Sequence, residues 1–173
     1  SFVPTAGAVA SSTASSTIIR YIERATGHIY ETDSEKPAVT KISTITIPKV
    51  YEAIFTQNAT RLLIRYFKED SDVIRTFYAK IAMPQRPEQA LEGLFLPDGI
   101  RNIAVNANKI FYLVWRDTNA QGIMANMDGS NKEAIFNSSF GEWTTNWTSP
   151  KAIVISSKPS NATVGSSYLM NPA

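Results

Sequence analysis

One beat recurs along this chain and constrains its fold more than any other feature. Three segments share a Gly, five residues, then Asp or Asn: GHIYETD at 27–33, GIMANMD at 122–128 and GSSYLMN at 165–171. DVIRTFY at 72–78 is a looser copy, so the four starts lie 45, 50 and 43 residues apart. A second marker keeps the same spacing. A short polar turn, a Lys or Arg and an apolar stretch recur in NATRLLIRYF (58–67), NANKIFYLVW (106–115) and TSPKAIVISS (148–157). Their turns are 48 and 42 residues apart. The first copy, IIRYIERATG at 18–27, has SSTASST in place of the turn. A fixed period of this length marks one supersecondary unit stacked on copies of itself.

Each unit reads as strand, turn, strand, turn, strand and, in most, one strand more. The second unit gives VYEAIF, RLLIRYF and VIRTFYAKI; the third gives RNIAVN, KIFYLVW, GIMANM and KEAIF; the fourth gives EWTTNW, KAIVISS and SSYLM. Val, Ile and Thr (9, 18 and 16 residues) make up a quarter of the chain, which favours strands. Turns such as 68–72, Pro97-Asp98-Gly99 and Asp128-Gly129-Ser130 carry the Asp, Gly and Ser that tight connections need. The strands are almost continuously apolar rather than alternating, as expected of sheets covered on both faces.

Four short strands per repeat predict an all-β fold of β-propeller-type blades with a period of about 42–50 residues. Residues 18–173 should form three complete four-stranded units and a partial fourth, as part of a larger propeller. A four-bladed ring closed by the N-terminal segment, and a β-sandwich, are the alternatives. Residues 1–17 are expected as a flexible tether or, through TAGAVA at 5–10, as the first inner strand. Residues 17–26 could form a helix between Thr17 and Gly27, but the repeat register favours a hairpin. PEQALE at 87–92 would be a helical turn between blades.

NANKIFYLVW followed by GIMANMDGSN resembles the TolB-like, PD40-type (WD40-like) propeller blade. TSPK at 148–151 keeps Ser149, Pro150 and Lys151 of that blade's Ser-Pro-Asp-Gly-Lys turn but not the Asp-Gly, and NANK and NATR keep only the basic residue. RYIERATGHIYE and TIPKVYEAIF are similar to stretches of uncharacterised bacterial extracytoplasmic propellers. The resemblance covers residues 18–171. It implies an extracytoplasmic module, whether periplasmic, surface or secreted, of a fold found in scaffolds, in peptidase lids and in proteins of unassigned activity.

Several chemistries are excluded by composition. With no cysteine there is no disulfide, thiolate zinc site, iron–sulfur cluster or cysteine nucleophile. His28 is the one histidine, so a catalytic triad or a His-based metal site must use it. It is read as structural. A net charge of +2 gives no bulk attraction to nucleic acid. Charged residues are 18% and hydrophobic residues 43%, a balance suited to a packed domain. No apolar run approaches the roughly 18–20 residues of a membrane span. The chain starts at Ser1, which suggests a removed leader or a shortened chain.

No Asp-box, GxSxG elbow, P-loop or GxGxxG is present. Glu31, Asp33 and Glu35 are close in sequence but lack the spacing of a calcium loop, so neither a metal nor a cofactor is expected. The cluster at 68–72 reads as a solvated hairpin tip. Trp143 and Trp147 could stack on sugar rings, or pack as core between sheets. Trp115 reads as packing. The sequons at Asn58, Asn137, Asn146 and Asn161 exceed the roughly two that composition predicts, and the excess is not informative. No catalytic residue is assigned. Candidate ligand residues are Glu52, Arg101, Asn102, Asn146 and Trp147, chosen because they fall on the expected inner strands 50–55, 101–106 and 143–147. The expectation is a non-enzymatic module that binds a protein, small molecule or glycan. The alternatives are a glycan-binding or glycan-hydrolysing propeller and a lid for a hydrolase domain.

Overall fold

The computed structural model describes residues 3–12, 14–36, 38–81, 91–117, 119–140, 142–159 and 164–172. Every element among them is a strand, and no helix there is long and apolar enough to cross a membrane. The strands form four small sheets, each an antiparallel meander in which consecutive strands are neighbours. The chain divides into two compact units, residues 1–98 and 99–173, with two sheets in each.

In the first unit, β1 (Thr5–Ser12), β2 (Thr17–Glu23), β3 (Ile29–Asp33) and β4 (Thr40–Lys41) form one sheet. β5 (Val50–Phe55), β6 (Arg61–Phe67), β7 (Ile74–Lys80) and β8 (Glu92–Phe95) form the other. In the second unit, β9 (Asn102–Asn106), β10 (Lys109–Arg116), β11 (Asn119–Asn126) and β12 (Glu133–Ser138) make a four-stranded sheet. β13 (Trp143–Ser149), β14 (Ala152–Ser157) and β15 (Ser167–Met170) make a three-stranded one among the described residues.

Both sequence markers fall at matching places. The Gly-to-Asp/Asn segments and the looser copy at 72–78 fall on the third strand of every sheet, containing all of β3 and β15 and most of β7 and β11. The basic residue opens the second strand in β6 and β10, and immediately precedes it in β14. Residues 17–23 are strand β2, as the register favoured, and not a helix. TAGAVA lies within β1, the first strand of its sheet. The helical turn expected at 87–92 falls mostly outside the described residues; Glu92 begins β8.

Two of the middle strands, β6 and β10, are buried on both faces. Leu62 to Arg65 in β6 and Ile110 to Val114 in β10 are consecutive buried residues, which explains their unbroken apolar sequence. In the first unit Ile22, Ile29, Leu62 and Ile64 are among the fully buried members of one core. At about 1.5–3 kcal/mol for each large aliphatic side chain removed from water, such residues dominate the stabilisation of the unit.

First strands lie side by side within each unit, β1 along β5 and β9 along β13. Gly7 makes the first approach feasible, because a Cβ there would sit 2.0 Å from the Ala53 carbonyl oxygen. Two of the hairpin turns share a left-handed alanine at the same motif position, Ala59 (φ 56°) in NATR and Ala107 (φ 50°) in NANK.

Candidate functional site

The second unit carries an aromatic cleft of about 820 Å³. Three rings form its floor. Phe136 from β12 meets Trp143 edge-on, with centroids 5.1 Å apart and planes at 78°. Tyr168 from β15 lies 5.8 Å from Trp143 and 6.5 Å from Phe136. Phe140, Leu169 and Val164 extend the walls and stand well exposed, Phe140 at 61% and Leu169 at 74%. Trp143 itself is buried, and its Nε1 donates to the Phe140 carbonyl at 3.0 Å. That bond ties Trp143 to Phe140 and leaves the indole face lining the cleft.

A smaller recess of about 250 Å³ shares Glu142, Trp143 and Lys158 with this cleft. Its other residues include Arg101, Asn102 and Trp115. The Arg101 guanidinium carbon lies 5.5 Å from the Trp115 ring centroid, a cation–π contact. Asn102 Nδ2 donates to the Trp143 carbonyl at 3.3 Å, tying β9 to β13 across the recess. Lys158 Nζ and Glu142 Oε2 are 3.1 Å apart, and both side chains are about two-thirds exposed (70% and 67%). Two cations and one anion thus frame the recess, beside an apolar cleft.

Of the five residues nominated from sequence, Arg101 and Asn102 line this recess. The other three are placed elsewhere. Glu52 lies in the first unit and is ion-paired to the buried Arg65, which also sits 5.2 Å from the Tyr51 ring centroid. Asn146 is exposed, on the face of β13 opposite to Trp147. Trp147 is half-buried against the same core cluster as Trp143. The two tryptophans share a face, as their spacing requires, but that face is turned inward and offers no exposed pair for stacking on sugar.

The residues that sequence reasoning did not nominate are Phe136, Tyr168, Glu142 and Lys158. They come from three separate stretches that only folding brings together. Trp115, read as packing, touches Arg101 at the recess. Elsewhere, the 68–72 tip is a turn closed by Lys68 N to the Val73 carbonyl (3.0 Å) and Ser71 N to the Lys68 carbonyl (3.2 Å). His28 is half-buried, with Nε2 3.3 Å from Thr46 Oγ1. No group of three or more potential metal-ligating side chains converges among the described residues.

No family model and no curated protein matches the sequence. Solved structures do match the fold. The β-propeller domain of the trilobed protease from Pyrococcus furiosus, described as having an open velcro topology, aligns with a TM-score of 0.61 at 11% identity. The alignment covers 99% of this chain and 55% of that one. The β-propeller domain of Cps50 (Swd1) from Myceliophteria thermophila aligns at a TM-score of 0.54 and 12% identity, covering 90% of this chain and 50% of that one. The fold is therefore that of a β-propeller, and the four sheets are its blades. The chain spans about half the length of these propeller structures.

Proposed function

We propose that this chain is a non-enzymatic binding module of the TolB-like, PD40-type branch, working outside the cytoplasm as part of a larger propeller. Its ligand contact is the aromatic cleft of the second unit. The cleft carries the reading. Its 820 Å³ falls in the range of ligand sites, and its lining joins exposed Phe140, Tyr168 and Leu169 to the buried Trp143. Clustered exposed apolar groups of this kind mark contact surfaces rather than ordinary solvated surface. The larger propeller is supported by the twofold longer chains that share the fold. The branch rests on the blade-like turn and strand segments at 106–131 and 148–157, and the compartment on the segments at 20–31 and 46–55.

The test is titration of the purified chain with short acetylated peptides of apolar, aromatic, acidic and basic composition, read by tryptophan fluorescence. Saturable binding of the apolar or aromatic peptides, weakened at least fivefold by Leu169→Ser or Tyr168→Ala, is the expected result. Absence of saturable binding, or binding that both substitutions leave unchanged, would overturn the reading.

A further inference from the structure

The recess beside the cleft adds a chemical requirement to whatever the cleft holds. We propose that the site selects an apolar group that ends in a carboxylate, with the carboxylate held between Arg101 and Lys158. This rests on the binding reading above and names the ligand class for the same site.

Four observations converge. The recess and the cleft share Glu142, Trp143 and Lys158, so the two adjoin along one border. The recess holds about 250 Å³, enough for a carboxylate and the carbons next to it. The larger apolar volume lies on the other side of Trp143.

Charge is the second observation. Arg101, Lys158 and Glu142 are the charged residues of the recess lining, two cations and one anion. The third is the weakness of the existing pair. Lys158 and Glu142 are exposed, and an exposed ion pair contributes little. A ligand carboxylate can therefore take Glu142's place on Lys158 at small cost. The fourth is preorganisation. Contact with Trp115 orients Arg101, and the Asn102–Trp143 hydrogen bond fixes the strand from which it projects. A guanidinium steadied by an aromatic ring presents a planar fork of donors suited to the two oxygens of a carboxylate.

Two sources share this chemistry: the C-terminus of a polypeptide with apolar last residues, and a free aryl-substituted short-chain acid. The experiment compares acetyl-Ala-Ala-Leu-Phe as the free acid with its C-terminal amide, and 3-phenylpropionate with 3-phenylpropionamide. Binding is read by tryptophan fluorescence at low and high salt. The expected result is that an acid binds about tenfold more tightly than its amide, as a charge-assisted pair implies, and that salt narrows the gap. Arg101→Gln should abolish the difference by bringing acid binding down to the level of the amide; Lys158→Gln should reduce it. Preference confined to the peptide assigns the site to polypeptide C-termini, and preference shown also by phenylpropionate extends it to free acids.

Equal binding of acid and amide overturns the carboxylate proposal while the cleft reading stands. So does a preference that survives both substitutions. Failure of acid and amide alike to bind overturns both. Arg101 and Lys158 are exposed, so far-ultraviolet dichroism should confirm that both variants fold.

Discussion

Arg20 and Glu31 face each other across the β2–β3 ladder with Nε and Oε2 2.8 Å apart, and Arg20 is only 3% exposed. Arg20 Nη1 also donates to the Ala59 carbonyl in the turn between β5 and β6, so one buried cation links the two blades of the first unit. Arg65 occupies the matching place in β6, buried and ion-paired to Glu52. Each buried cation is paired with a carboxylate that stays partly exposed, Glu31 at 25% and Glu52 at 39%, so neither arginine is buried without a counter-charge.

Arg20→Ala should therefore cost about 3–5 kcal/mol of unfolding free energy, because it strands a carboxylate and a carbonyl that both lose their partner. Glu31→Gln, which can still accept a hydrogen bond, should cost clearly less. Urea unfolding of the two variants checks the order. A loss below about 1 kcal/mol for Arg20→Ala would mean that the link is not structural.

The close approach of β1 to β5 depends on a missing side chain. Gly7→Ala would place a Cβ 2.0 Å from a backbone oxygen, which no rotamer change relieves. It should cost about 3 kcal/mol or more through strand displacement. Gly99→Ala provides the contrast. Gly99 has φ +77° with nothing within 4 Å, so only backbone strain is paid, about 1 kcal/mol. Thermal melts of the pair should rank Gly7→Ala far below Gly99→Ala.

Ala107→Gly should stabilise the protein by a few tenths to about 1 kcal/mol, since the exposed Ala107 holds a left-handed φ of 50° that glycine adopts without cost. Ala59→Gly relieves the same strain at φ 56° but gives up a methyl group that is 98% buried, so its gain should be smaller or absent. Differential scanning calorimetry of both variants separates the two terms.

His28 should make stability depend on pH. Burial chiefly, and then the nearby Lys41, lower its pKa from the ordinary value, while Glu23 opposes them. A base with a depressed folded pKa binds fewer protons folded than unfolded. Its contribution is full above the unfolded value of about 6.5, declines as pH falls through the window between the two values, and levels off below the folded one. Wild type should lose stability from pH 7.5 to 5.5 relative to His28→Gln. Parallel profiles would show that His28 has no part in it.

Much of the fold was legible because it repeats. Gly27, Asp72, Gly122 and Gly165 mark the third strands, and Arg61, Lys109 and Lys151 mark the second, because a blade of short strands places turn chemistry at fixed intervals. The pairing of blades within a unit was not legible, since it depends on one glycine against one carbonyl. The site was legible only in part. Arg101 and Asn102 were found because they open an inner strand. Asn146 and Trp147 were nominated on the same ground, placement on an inner strand, although neighbours on a strand face opposite ways. Phe136, Trp143 and Tyr168 meet from three strands, and no local pattern in any one of them announces the others.

The indole signals of the three tryptophans give the most direct test of the binding site. Trp143 lines the cleft and Trp115 the recess, while Trp147 packs on the core away from both. In proton–nitrogen correlation spectra, saturating acetyl-Ala-Ala-Leu-Phe acid should move the Nε1–H resonances of Trp143 and Trp115 and leave that of Trp147 in place. Movement of Trp147 alone, or of none of the three, would contradict the assignment of the second unit's cleft as the binding site.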